Sequence, residues 1–164
     1  MSLTVVSNTS PIVNLAAIGQ LELLRGVFGS IIIPDAVYHE IVVQGAGRAG
    51  SSEIPAAEWI VQRSVNNLHV ADILKQELGA GEALALALEI GADWILLDER
   101  LGRRWATRLG LPFTGLLGVL AKAKARSLIP AVKPLMDALR THAGFWISPS
   151  LYQYILASVG EHTP

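Results

Sequence analysis

Five short apolar segments recur along this chain, and a stretch with helical character follows each of them. They are residues 3–7, 30–33, 59–65, 93–98 (DWILLD) and 112–114. Each is bounded by turn or cap residues, and most are rich in Val and Ile. Such runs read as strands buried on both faces rather than as alternating half-exposed ones. Strands of this kind, regularly interleaved with helices, imply a parallel sheet covered on both sides. The expected fold is therefore α/β, a three-layer sandwich with a central parallel sheet of about five strands flanked by helices.

The intervening stretches carry helix signals. Ser10 suits an N-cap and Pro11 the first helical position of a helix that runs to about residue 17 and ends before Gly19. Further helices are expected over 20–28, 34–43, 68–78, 82–90, 99–109, 116–126, 130–141 and 150–159. Residues 79–81 (GAG) break the fourth from the fifth, and 45–52 form a flexible loop. In 82–90, Leu alternates with Ala, which is a strand period. The strong helix propensity of Ala, Leu and Glu decides for a helix buried on most sides. The 164 residues suit one domain, with the helices from about residue 116 completing it.

Composition narrows the function classes. Hydrophobic residues make up 51% and charged residues 16%. The charge is below the roughly 25% of an average soluble domain, so a large core or a partner surface is expected. A net charge of −1 excludes a polycation that coats nucleic acid. The absence of cysteine excludes disulfides, thiolate metal sites and cysteine nucleophiles. No basic residue precedes the first apolar stretch, so no signal-peptide pattern is present. Residues 141–160 carry no Asp, Glu, Lys or Arg, but their polar residues suit an amphipathic helix rather than a membrane span. A cytoplasmic protein is expected. The uncharged C-terminal helix is a candidate homodimer surface, although it serves equally to close the core.

In parallel sheets, sites form at the C-terminal ends of strands. Asn8 ends the first strand, Glu40 borders the apolar stripe of the third helix, Glu82 opens the buried helix, and Asp98 ends the fourth strand. Clustered carboxylates raise one another's pKa unless a cation joins them. Mg²⁺ or Mn²⁺ favours oxygen ligands, and a water activated by such an ion can attack a phosphodiester. Asp98 also suits the N-cap of the helix beginning at Glu99.

Taken in order, SNTSPIVNLAAIG, IIIPDAVYHEIV and GAGEALALALEIGADWILLDERLGRRWATRLGLPFTGLLGVL resemble the PIN-domain family, and more narrowly a VapC-like branch that opens with SNTSP. The resemblance covers most of the chain. It implies a parallel sheet, a divalent-metal site, cleavage of single-stranded RNA and, often, a toxin paired with a small antitoxin. Carried over by position, it makes Glu40, Glu82 and Asp98 catalytic, and Asn8, Glu82 and Asp98 metal ligands. Thr9, Ser10 and Thr114 become supporting polar residues. Asn8 stands where the family has an aspartate. Its amide oxygen can ligate a cation but brings no charge. A second reading follows from that departure, a catalytically degenerate PIN fold that binds RNA or a protein.

Residues 99–133 hold eight basic side chains and a single acid, Glu99. Arg100, Arg104 and Arg108 recur at i+4 and share a helix face. With Arg103 they form a candidate phosphate-contact patch, or else a solvated face. Residues 45–50 match G-x-G-x-x-G, but Pro34-Asp35 makes the preceding element a helix start, whereas a dinucleotide loop needs a preceding strand. The histidines at 39, 69, 142 and 162 match no metal spacing. The four tryptophans read as core or interface anchors rather than base-stacking platforms.

Overall fold

The computed structural model describes residues 3–78 and 81–161. Five parallel strands, β1 (Val5–Ser7), β2 (Ile31–Pro34), β3 (Ile60–Arg63), β4 (Trp94–Leu96) and β5 (Phe113–Thr114), form one sheet in the order β3-β2-β1-β4-β5. The helices are α1 (Thr9–Ala17), α2 (Glu22–Phe28), α3 (Asp35–Tyr38), α4 (Glu53–Ala56), α5 (Leu68–Leu78), α6 (Gly81–Ile90), α7 (Arg100–Arg108), α8 (Leu116–Ala125), α9 (Lys133–His142) and α10 (Pro149–Ser158). The predicted break at 79–80, and His162, lie outside the described residues. Among the described residues no helix is long and apolar enough to cross a membrane.

Alternate strand residues feed two cores, as the two-residue period of a strand requires. Val5, Ile31, Ile33 and Leu96 face one way and pack with Ile12, Leu24, Leu116, Leu120, Met136 and Leu156, so α1, α2, α8, α9 and α10 cover that face. Val6, Ile95 and Leu97 face the other way and pack with Ala71, Leu84, Leu86 and Ala106 of α5, α6 and α7. This is the three-layer sandwich read from the strand–helix alternation. Helix α7 comes close to the sheet because Gly102 has no side chain; a Cβ there would stand 2.8 Å from a methyl of Leu97.

Three local details depart from expectation. The first helix begins at Thr9 with Asn8 as its N-cap, so Ser10 lies inside the helix, where its hydroxyl accepts from Asn14 Nδ2 at 3.0 Å. The third helix does not continue evenly to 43. After Tyr38 it widens into a π-helical stretch, His39–Gln44. The segment after the glycine loop contains the extra helix α4, which tolerates Pro55 because the first turn of a helix needs no intrahelical N–H donors.

Candidate active site

The C-terminal ends of β1 and β4 lie side by side. Ser7 pairs with Leu96, and the next residue, Asn8, donates its backbone N–H to the Leu96 carbonyl at 3.0 Å. One strand further, Leu97 donates to the Thr114 carbonyl at 3.0 Å. The connections build outward from β1 through β2 to β3, then return to the other side of β1 to form β4 and β5. The β1/β4 boundary is thus the topological switch point, where open parallel sheets form their binding crevice. Asn8 and Asp98 leave the sheet on its two sides.

Asp98 is the best-defined group there. Its side chain is 13% exposed. Oδ1 accepts the backbone N–H of Leu116, the first residue of α8, at 3.0 Å. It also faces Arg103 Nη2 at 3.4 Å, while Arg103 is anchored through Nε to the Leu97 carbonyl at 3.0 Å. Gly115 makes the pairing possible, because a Cβ at that position would fall on the Arg103 guanidinium and 2.5 Å from Asp98 Oδ1. Oδ2 is buried and has no hydrogen-bond partner among the described residues. Burial pushes the Asp98 carboxyl above its ordinary range, and the Leu116 N–H and the Arg103 charge only partly oppose it. The expected cap on the helix after β4 falls instead to Glu99, and Asp98 tethers the start of α8.

Glu99 is the site residue that sequence reasoning missed. The extended backbone at this N-cap position carries its carboxylate into the same crevice. There the neighbouring Asn8 amide favours its ionised form, and the charges of Glu40 and Asp98 oppose it. Desolvation pushes its pKa up, the Asn8 hydrogen bond pulls it down, and the two neighbouring carboxylates push it further up. The available signal was the pair of adjacent acids in LLDER at a strand exit. Asn8 itself is 6% exposed.

Glu40 is placed by the π-helical stretch, and Thr9 Oγ1 donates to its Oε2 at 2.7 Å. Thr9, at the start of α1, thus links β1 to the third acidic group. Single π-type turns inside helices are uncommon and frequent at functional sites. Glu82 lies half-buried in the first turn of α6, and no hydrogen bond or ion pair among the described residues engages its carboxylate. The structure therefore brings Asn8, Glu40 and Asp98 within electrostatic reach of Glu99, while helix α6, which carries Glu82 in its first turn, packs against β1 and β4. Ser10 is occupied within α1. Thr114 lines a cavity beside Asp98.

The donor chemistry fits a hard divalent cation. All the donors are oxygens, burial raises the pKa of Asp98, burial and the neighbouring carboxylates raise that of Glu99, and one buried carboxylate oxygen has no partner. Among the described residues, however, no three His, Asp or Glu side chains close around a single point. The exposed carboxylates of Glu40 and Glu99 would have to turn toward Asp98 and Asn8 to complete a ligand shell. Of the arginines, Arg103 points at Asp98, whereas Arg100, Arg104 and Arg108 are exposed along the neighbouring stripe of α7.

An α/β protein with acidic oxygens gathered at the switch point of a parallel sheet is a different class from one that cradles a dinucleotide on glycines. The G-x-G-x-x-G at 45–50 follows a helical stretch, not a strand, and leads only to the four-residue α4. A family model described as PIN domain matches residues 4–161. The chain belongs to the PIN-domain family, whose members are generally nucleases. No curated protein matches it.

Proposed function

We propose that this protein is a divalent-metal-dependent endoribonuclease of the toxin-like, VapC-like kind, acting on single-stranded RNA. The observation that carries the reading is the buried, partnerless Oδ2 of Asp98, set at the switch point beside Asn8, Glu99 and Glu40. A desolvated carboxylate oxygen is costly unless a proton or a cation meets it. Asp98, Glu99 and the Asn8 amide oxygen would hold Mg²⁺ or Mn²⁺, with Glu40 and Glu82 as the further acids. An ion held by these oxygens supplies Lewis-acid activation of water and of the scissile phosphate. Arg103 orients Asp98, and the exposed Arg100, Arg104 and Arg108 provide phosphate contacts. The toxin reading brings with it a small antitoxin as partner, and the exposed Leu151 and Tyr154 on α10 offer a face for a second copy of the chain.

A second reading has its own observation. Asn8 replaces an acid and uses its amide to hold Glu99, an arrangement that serves a degenerate fold binding RNA without cleaving it. Cleavage of a labelled single-stranded RNA in Mn²⁺ or Mg²⁺, abolished by EDTA and by Asp98→Asn, supports the enzyme. RNA binding with no cleavage under any divalent ion refutes it in favour of the binding module. Asn is chosen over Ala because it keeps an acceptor for the Leu116 N–H.

A further inference from the structure

Beside Asp98 opens a cavity of about 410 Å³ lined by Arg103, Phe113, Thr114, Phe145, Trp146 and Ile155, among others. Its size lies within the roughly 300–1,000 Å³ of small-molecule sites. Trp146 is the most exposed large apolar side chain among the described residues, at 79%. It does not sit on a slack loop. On one side Phe145 donates its N–H to the Leu139 carbonyl at 2.9 Å; on the other Ile147 is buried and Ser148 caps α10 by accepting from Leu151 N at 3.1 Å. The indole is thus held out into solvent beside a cavity that Asp98 also lines. In the same lining the Arg103 guanidinium lies 5.6 Å from the Phe113 ring centroid, a second flat surface. The glycines at 115 and 118 leave room between these walls; a Cβ at 118 would collide with the Thr114 hydroxyl.

We propose that this cavity receives one unstacked nucleobase of the strand whose phosphate lies at Asp98. The inference rests on the nucleic-acid reading above and adds a base subsite to it. Aromatic and guanidinium planes with a hydroxyl at the edge suit a flat heterocycle, and they do so without selecting one base strongly. A base can enter only if it is out of a helical stack, so the cavity gives the site a physical reason to prefer single strands over duplexes. An apolar peptide or a second protein copy would bury Trp146 too, but neither needs the cavity to open onto Asp98 and Arg103.

The test uses the full chain in EDTA, so that binding is read without cleavage, with a short oligouridylate as probe. Tryptophan fluorescence should be quenched on titration. Trp146→Ala should remove most of the quenching and weaken binding about tenfold or more, whereas Trp146→Phe should restore affinity. An abasic oligonucleotide of equal charge, or a duplex, should bind the wild type at least about tenfold more weakly. Equal binding of the oligouridylate by wild type and Trp146→Ala overturns the proposal. So does equal wild-type affinity for the abasic strand, or a Trp146→Ala variant that changes only from dimer to monomer by light scattering. The outcomes separate from those of the nuclease reading. Quenching without cleavage in any metal keeps the base subsite and removes the enzyme. Cleavage with KM unchanged in Trp146→Ala keeps the enzyme and removes the subsite.

Discussion

Exchanging the buried amide at the end of β1 for a carboxylate, Asn8→Asp, tests the electrostatics of the crevice directly. The change is nearly isosteric, so packing around this 6%-exposed side chain is preserved. What changes is the partner of Glu99. The wild-type amide favours the ionised form of that carboxylate, which already feels Glu40 and Asp98. The substitution replaces a donor with a second anion. A hydrogen bond to a charged group is worth about 1.5–3 kcal/mol. Solvent around the partly exposed Glu99 moves the loss toward the lower end, and like-charge repulsion is screened there as well. The metal-free variant should therefore be less stable by about 2 kcal/mol at neutral pH, a fall of about 4–8 °C in Tm for a domain of this size. The loss should vanish below about pH 4, where the carboxylates are protonated. With Mn²⁺ the order should reverse, because the added ligand charge tightens the ion and binding stabilises the folded state by mass action. Differential scanning calorimetry of both proteins in EDTA and in Mn²⁺, from about pH 3 to 8, reads all three effects. Identical melting at neutral pH in EDTA would refute the reasoning, since position 8 would then not face Glu99.

Three further outcomes are expected. Gly115→Ala should push the Arg103 guanidinium off Asp98 and weaken Mn²⁺ binding by calorimetric titration, with the circular dichroism spectrum retained; unchanged binding would show that the pair does not shape the site. Asp98 has a raised pKa in the folded chain, so the stability it contributes is present in full below the ordinary carboxylate range and is lost as pH rises through the folded value. The Tm of Asp98→Asn relative to wild type in EDTA should accordingly climb from pH 4 to 8, and a flat difference would contradict the burial argument. If Arg100, Arg104 and Arg108 contact phosphates, their joint reversal to Glu should reduce the log–log salt slope of single-strand binding by about 2, at about 0.7 per contact, when affinity is followed by fluorescence anisotropy; an unchanged slope leaves them as a solvated face.

The strands were legible because Val5, Val6, Ile31, Ile33, Ile95 and Leu96 are buried whichever face they take, and only a parallel sheet with two covers does that. Once the alternation implied such a sheet, Asn8 and Asp98 followed, since strand ends can be counted from a sequence. Glu40 was legible as a stripe-bordering acid, but the π widening that delivers it to Thr9 was not. An apolar stripe over 37–43 reads the same for a 3.6-residue turn as for a slightly wider one. Glu99 was hidden for a related reason. Beside Asp98, it reads as an ordinary acid at a helix start, and only the extended N-cap backbone sets its carboxylate near Asn8 and Asp98. The Glu82 position was legible as a helix start, yet its relation to the other acids depends on how α6 meets the sheet, which no local pattern encodes.

Asp98 shows why structural and chemical roles at this site cannot be separated by deletion. One oxygen holds the first N–H of α8 and pairs with Arg103, and through Arg103 the Leu97 carbonyl at the end of β4. The other is buried without a partner. The first oxygen fixes the angle of the second, so the orphan is aimed by the helix that the same side chain tethers. Removing the whole carboxylate would release α8, Arg103 and any bound cation together. Exchanging it for an amide keeps an acceptor for Leu116 and removes only the charge. A site built this way ties the geometry of its central carboxylate to the packing of two helices, α7 and α8, on opposite faces of the sheet. Substitutions at Gly102 or Gly115, neither of which carries a side chain, should therefore act on the chemistry as strongly as changes to the acids themselves.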